Sequence, residues 1–429
     1  MSRLRAATRP GLLVGVAACV SALLYFRSAA PGGPGAEPPT PAVSECGFYP
    51  DELCSALLEG RGAASQVARF CKAPLGPGVP ACLQAPGNCS RISRALRFVS
   101  RPLSAEEGSF PLAYVVAAHE ELVPLVRLLR AVYAPQNVYC VHVDGRAPEE
   151  HRAAVRTLAS CFDNVFITSP RTEPGAQPGL TRLQADLSCM EGLVHSGVQW
   201  HYVINLCGRD FPIKTNREIV RYIRSKGNGK NITPGVIQVA KTKSRTSQSQ
   251  PEPTPKGRVY VPPNEGFQEE PPHNLTVYFG SAHYMLTRAF VQFVLTDSRA
   301  KDMLRWSRAL QSPERHYWVT LNRLQDAPGA TPGAGWEGRV RATKRRGEEG
   351  DACDGCKGRS DPDSCVYGPA DLPRLVWSPS LFASRFESST EPLAVACLER
   401  WQRQRVLQQA EVPVEPHWRF PRQSDFRGN

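Results

Sequence analysis

Between positions 112 and 223, short apolar runs alternate with stretches whose leucines recur at helical spacing. Residues 112–118 (LAYVVAA), 137–143 (NVYCVHV), 164–168 (NVFIT) and 202–206 (YVINL) have the length and the Val, Ile and Tyr content of buried strands. Residues 122–133 and 183–194 repeat their apolar side chains every three to four positions and predict helices. Strand then helix, repeated, predicts an α/β fold with a mostly parallel central sheet and helices on both faces. Such sheets hold ligands at the carboxyl ends of their strands, which singles out His119, Asp144 and the turn from Cys207 to Asp210. Farther on, 275–284 reads as strand and 288–297 as helix. Ser312-Pro313-Glu314 opens a helix running to 324, with Ser as its cap and Pro at its first position. The Ser-, Pro-, Gln- and Thr-rich stretch 244–263 predicts a surface loop, 326–365 is loop-rich, and 392–407 predicts a last helix.

The stretch 11–26 (GLLVGVAACVSALLYF) breaks this pattern, because its sixteen residues carry no charge. Arg3, Arg5 and Arg9 precede it and a single Arg27 follows, which predicts a cytoplasmic N-terminus. Sixteen residues fall short of the roughly 20 that span an average bilayer, so the stretch suits a thinner membrane of the early secretory pathway. We read 1–10 as a cytoplasmic tail, 11–26 as a signal-anchor transmembrane helix, 27–45 as a Pro/Gly-rich stem and 46–429 as a luminal domain. The rival reading is a signal peptide cleaved near the small residues Ser28, Ala29 and Ala30.

Composition narrows the function classes. With 41% hydrophobic and 21% charged residues the chain is neither disordered nor a multipass membrane protein. Fourteen cysteines, thirteen of them after the anchor, fit an oxidising lumen and disulfides. The odd luminal count leaves at least one thiol free or paired between chains, which allows a homo-oligomer. Sequons at Asn88, Asn231 and Asn274 offer glycosylation sites in the same compartment. The net charge of +12 and the basic run 339–346 (RVRATKRR) would suit a nucleic-acid partner in another compartment. A luminal domain meets no DNA; there, cations face the phosphates of nucleotide sugars, acidic glycans or anionic lipid, and most of these residues read as a solvated face.

Several blocks then point to a family. CGRDFPIKTN (207–216), RLLRAVYAPQNVYCVHVD (127–144), TRLQADLSCM (181–190), FGSAHYMLTR (279–288) and SLFASRF (380–386) together resemble the core 2 branching β-1,6-N-acetylglucosaminyltransferases of glycosyltransferase family 14, Golgi type II membrane enzymes. The resemblance implies a GT-A type α/β fold stapled by disulfides. It further implies inverting, metal-independent transfer of N-acetylglucosamine from UDP-N-acetylglucosamine in β-1,6 linkage to the O-glycan of a glycoprotein. No cofactor beyond the UDP-sugar donor is implied. Asp361-Pro362-Asp363, the one Asp-x-Asp of the chain, reads as a turn and not as a metal site, because proline stands at its centre.

Carried over by position, the resemblance assigns His119 and the turn Asp144, Gly145, Arg146 to uridine and ribose, and Arg359 and Arg385 to the diphosphate. Fixed cations there would stabilise the charge that develops on the leaving UDP. Arg385 stands where a lysine is usual in the family. The implied disulfides are Cys54 with Cys397, Cys89 with Cys161, Cys140 with Cys189, and Cys353 or Cys356 with Cys365, leaving Cys207 as the free thiol. Cys46, Cys71 and Cys82 receive no partner. A zinc reading of Cys353, Cys356 and Cys365 lacks a fourth ligand.

The chain departs from the family at the reaction centre. An inverting transferase needs a carboxylate base, and the family's glutamate aligns with Arg315, whose guanidinium stays protonated. Glu314, one residue earlier, is the replacement we assign, with Glu348 and Glu349 as further candidates. On a helix that single step turns the side chain by about 100°. The family's acceptor-binding glutamate falls near Thr233, its aromatic wall near Arg345 and Gly347, and its donor-contacting tyrosine near Gln177. Two hypotheses follow: a Golgi glycosyltransferase with a relocated base and a changed acceptor, or a weak or inactive relative that binds UDP-sugar or glycan or partners an active transferase.

Overall fold

Strand and helix alternate as the sequence predicts, around a sheet whose two faces are both buried. The computed structural model describes residues 50–68, 83, 88–118, 121–168, 178–237, 270–308, 310, 312–336, 340–345 and 364–418. The anchor at 11–26, the stem and the loop at 244–263 lie outside the described residues, as do His119, Arg359, Cys353 and Cys356. Among the described residues no helix is long and apolar enough to cross a membrane.

In chain order, α1 (Pro50–Leu58), α2 (Gly62–Ala68) and α3 (Cys89–Leu96) lead into β1 (Leu112–Ala118), α4 (Leu122–Val132), β2 (Val138–Val143) and α5 (Glu149–Ala159). Next come β3 (Val165–Thr168), α6 (Pro178–Val194), β4 (Tyr202–Cys207), β5 (Asp210–Pro212) and α7 (Asn216–Tyr222). There follow β6 (Gly235–Ile237), β7 (Tyr278–Gly280), β8 (Met285–Thr287), α8 (Arg288–Thr296), α9 (Ser298–Ser307) and α10 (Glu314–Leu321). The last elements are β9 (Arg341–Arg345), β10 (Ser364–Cys365), β11 (Phe382–Ser384) and α11 (Pro392–Gln409).

The main sheet has the order β3-β2-β1-β4-β8, parallel except for β8. Alternate residues of β1 serve opposite faces, as the pleat requires. Tyr114 and Val116 pack with Leu125, Leu129 and Leu158 of α4 and α5. Ala113 and Val115 pack with Leu183 and Met190 of α6, Phe290 of α8 and Trp318 of α10. Burial on both sides explains why these strands read as unbroken apolar runs. A second sheet, β10-β9-β11-β5, adjoins a third core in which α1 and α11 cover Phe211 and Ala383.

Local chemistry sets several boundaries. Thr215 caps α7 in a reciprocal box: its hydroxyl accepts from the Glu218 amide at 3.1 Å, and its own amide donates to Glu218 at 2.9 Å. Asn88 caps α3 by accepting from the Ser90 amide at 2.9 Å. Ser312, expected as the side-chain cap of α10, contributes its carbonyl instead, accepting from the Arg315 amide at 3.0 Å. Pro313 already holds helical dihedrals (φ −59°, ψ −34°), so the turn begins without a side-chain cap.

Two other expectations need correction. The stretch 275–284 is not one strand: β7 pairs with β6 and β8 with β4. Asn205 holds the link between them, donating to the Ala282 carbonyl at 2.8 Å and accepting from the Tyr284 amide at 3.0 Å. The loop-rich region contains β9, whose charges hide it from a hydrophobic pattern. Arg341 and Lys344 are buried there against Asp210 and Asp371, so this part of the basic run is not a solvated face.

Disulfides join Cys54 to Cys397, Cys89 to Cys161 and Cys140 to Cys189, the three pairings expected between described cysteines. They fasten α1 to α11, α3 to the end of α5, and β2 to α6. The first closes a separation of 343 residues, the kind of long loop whose closure most restricts the unfolded chain. Cys365 is also disulfide-bonded, to a partner outside the described residues.

Candidate active site at the carboxyl edge of the sheet

From β1 the chain steps to β2 and β3 on one side and then crosses to β4 on the other. Loops diverge at such a reversal and leave a crevice at the carboxyl ends. A cleft of about 500 Å3 opens there, lined by Glu121 after β1, Asp144 and Arg146 after β2, Gly208 and Arg209 after β4, and Glu387 after β11.

Asp144 is oriented by its own turn. The Arg146 amide donates to its Oδ1 at 2.9 Å, and the Arg146 guanidinium donates to Oδ2 at 2.8 Å. These bonds hold the carboxyl down at about 2, so it is an acceptor at any physiological pH. With Arg146 largely exposed, the pair orients more than it stabilises.

Arg385 reaches the same edge from β11. Its Nε donates to Glu387 Oε1 at 2.7 Å, and the amide of Phe386 donates to the Arg209 carbonyl at 2.9 Å, which ties this segment to the turn after β4. Of the residues expected at the donor, Asp144, Gly145, Arg146 and Arg385 are therefore described, and Asp144 and Arg146 share the cleft.

Behind the cleft lies a buried polar layer. Asp210 Oδ2 accepts from the Cys207 amide at 2.6 Å and pairs with Arg341 at 2.8 Å. Arg341 also donates to the Asn205 carbonyl at 2.8 Å and lies 2.9 Å from His283 Nε2. Burial first, and then Arg341, Arg182 and Arg315, push His283 well below its ordinary value, so its ring is neutral and accepts from Arg341. Cys207 is the free cysteine among the described residues, and burial pushes its thiol up to about 11. It stays protonated at neutral pH and is no nucleophile.

Glu314, the first residue of α10, turns its carboxylate onto α6. A Cβ added at Gly179 would stand 2.1 Å from Oε2. Oε2 is buried and has no hydrogen-bond partner, and burial raises the carboxyl above its ordinary value against the opposing charges of Arg182 and Arg315. Arg315 turns elsewhere: its Nε donates to the Gly280 carbonyl at 3.1 Å, and its guanidinium lies 4.5 Å from the centroid of Phe279. Asp186 of α6 is buried beside Tyr284 and Asn205, and desolvation pushes it up to about 6.

The sequence reading did not single out Arg182, Asp186, His283 or Arg341. The signal for the first two was an Arg and an Asp four apart within a helix whose neighbours Leu183, Ala185, Cys189 and Met190 are all buried. Ionisable groups on a buried helix face are uncommon without a purpose.

Other expected positions resolve differently. Thr233 is buried, and its hydroxyl accepts from Asn322 at 2.7 Å and Arg323 at 3.1 Å, so it is spent on internal structure. Asn231 does not fit a glycan on the folded chain. Its amide nitrogen donates to Asn322 and Pro328 at 2.9 and 2.8 Å, and the residue is 1% exposed. Asn88 and Asn274 are exposed. Glu348, Glu349, Gln177, Gly347, Asp361 and Asp363 lie outside the described residues, as does the side chain of Arg345. Among the described residues no group of three or more His, Cys, Asp and Glu side chains could hold a metal ion.

Comparison with known proteins gives this edge its context. A human protein named as a probable beta-1,3-galactosyl-O-glycosyl-glycoprotein beta-1,6-N-acetylglucosaminyltransferase 7 is 64% identical over 426 residues, 99% of each chain. The human N-acetyllactosaminide beta-1,6-N-acetylglucosaminyl-transferase is 48% identical over 75% of this chain and 80% of its own. A bovine beta-1,3-galactosyl-O-glycosyl-glycoprotein beta-1,6-N-acetylglucosaminyltransferase 3 is 37% identical over 76% of this chain and 75% of its own. The profile of the core-2/I-branching enzymes matches residues 112–374, which carry the whole main sheet and Glu314. With sheet, disulfides and sequence in agreement, the chain belongs to the core-2/I-branching enzyme family of glycosyltransferases.

Proposed function

We propose that this chain transfers N-acetylglucosamine, with inversion, from UDP-N-acetylglucosamine to a hydroxyl of a glycoprotein O-glycan in β-1,6 linkage, without a metal. It works in the Golgi lumen, held to the membrane by 11–26 as a single-pass type II protein. The observation that carries the reading is Glu314: a carboxylate turned onto α6 with one buried, unpartnered oxygen and a raised pKa. A raised carboxyl takes a proton more readily than an ordinary carboxylate, as a general base must.

In the transfer, the acceptor oxygen bonds to the anomeric carbon while the bond from that carbon to UDP breaks. The electron pair leaves with the diphosphate, and the hydroxyl proton passes to Glu314. Asp144, ionised and oriented by Arg146, accepts hydroxyls of the donor's ribose. Arg385 binds the diphosphate, where the donor competes with Glu387 for its guanidinium, and Arg359 is assigned to the same group on the family resemblance alone. With Thr233 committed to Asn322 and Arg323, the acceptor sugar meets a different set of groups from that of the family pattern.

The second reading, binding of UDP-sugar or glycan, or partnership with an active transferase, without turnover, draws on Arg315 standing where the family has its base. Transfer assays decide between them: the full-length chain in detergent, UDP-N-acetylglucosamine and other UDP-sugars, a panel of O-glycan acceptors, and EDTA throughout. Transfer that persists in EDTA and falls by about 100-fold or more in Glu314→Gln is expected. UDP binding with no transfer to any acceptor would overturn the reading.

A further inference from the structure

The site described so far leaves unexplained why a helix buried on its sheet-facing side carries Arg182 and Asp186. Positions 179, 182 and 186 follow the i, i+3, i+7 spacing of a single helix face. That face of α6 meets the start of α10 at Gly179, where an added Cβ would stand 2.1 Å from Glu314 Oε2, 3.0 Å from its Cδ and 3.0 Å from Pro313 Cδ. Arg182 sits in the combined field of Asp186, Glu314 and Asp210. Asp186 is 5% exposed, and its Oδ2 has no hydrogen-bond partner. The charged groups facing Glu314 are thus Arg182 and Asp186 from α6 and Arg315 from its own helix.

We infer that Gly179, Arg182 and Asp186 form a seat that positions the Glu314 carboxylate, with glycine at 179 as its steric requirement; the inference rests on the proposed role of Glu314 as base. The physical content is specific. The atom nearest the missing Cβ is the far end of a flexible side chain, so a methyl group at 179 displaces the carboxylate and leaves the helices nearly where they are. Arg182 interacts favourably with both the Asp186 and the Glu314 carboxylates and offsets the repulsion between them that would otherwise drive Glu314 out toward solvent. These three are positioning residues, since they act through Glu314 and not on the sugar.

The test uses the full-length chain and the variants Gly179→Ala, Arg182→Gln, Asp186→Asn and Glu314→Gln. Gly179→Ala is expected to keep its melting temperature and its affinity for UDP, and to lose about 10- to 100-fold in kcat with an unchanged KM for the donor. With glutamate 13C-labelled at the side-chain carboxyl, the infrared difference between wild type and Glu314→Gln isolates the Glu314 band. In Gly179→Ala and Arg182→Gln that band is expected to titrate at a different pH from wild type. Unchanged kcat together with an unchanged titration in Gly179→Ala overturns the seat. A shifted titration with wild-type transfer in Glu314→Gln upholds the seat and refutes the base. Should Gly179→Ala lose stability, the cycle with Glu314→Ala decides: a relieved loss in the double variant supports the contact, and additive losses refute it.

Discussion

Arg341 of β9 and Asp210 of β5 form an ion pair of 2.8 Å within the second sheet, with side chains 2% and 0% exposed, and both also bond to β4, at the Asn205 carbonyl and the Cys207 amide. Buried pairs of this kind are costly to break, because removal of one partner strands the other charge in a poor dielectric. Arg341→Ala is expected to cost about 3–5 kcal/mol in urea denaturation, and Asp210→Ala a similar amount. The double variant should lose clearly less than the two combined. Arg341→Lys should not restore stability, since one ammonium cannot serve Asp210, the Asn205 carbonyl and His283 together.

Asp186 gives the fold a pH dependence with a defined sign. Its carboxyl is pushed up from 3.8 to about 6, mainly by burial. Between those values the folded chain keeps a proton that the unfolded chain has released, so stability falls as pH rises through this window, by on the order of 3 kcal/mol. Asp186→Asn removes this contribution. The difference between variant and wild type in urea denaturation should grow in the variant's favour from pH 4 to pH 7, and a pH-independent difference would refute it.

Asn231 is expected to carry no glycan on the folded protein expressed in mammalian cells, in peptide mass spectra taken with and without glycosidase. Its side-chain oxygen also accepts from the Thr287 amide and hydroxyl, at 2.9 and 3.0 Å. Asn231→Asp should therefore cost about 2–4 kcal/mol, because it turns a donor toward the Pro328 carbonyl into a second acceptor. A glycan found at Asn231 of the folded protein would contradict the structure.

Cys207, raised to about 11, should react slowly with iodoacetamide at pH 7.5 and faster as pH rises past 9. Cys207→Ser is expected to leave transfer within a few-fold of wild type. Rapid, stoichiometric alkylation of Cys207 at neutral pH would show that its surroundings are not those described.

The main sheet was legible because both its faces are buried, and strands of that kind must be written in apolar residues. Val116, Val141 and Ile204 have no polar alternative without an unpaired group in the core. β9 was illegible for the opposite reason. Arg341 and Lys344 belong in a strand only because Asp210 and Asp371, distant in sequence, supply the opposite charges. Asn231 shows the same blindness, since a sequon reads identically whether its amide faces water or Pro328.

Sequence by itself determined the fold class, the family and the end of the sheet where the cleft would open, which follow from periodicity and from blocks of residues close together in the chain; the three disulfide pairings among described cysteines came with the family resemblance. Only the tertiary structure decided that Glu314 and not Arg315 turns toward α6, that position 179 has room for a carboxylate because it lacks a side chain, and that the basic run is partly core. Those outcomes depend on which side chains meet across elements far apart in sequence, and on how much water each meeting excludes.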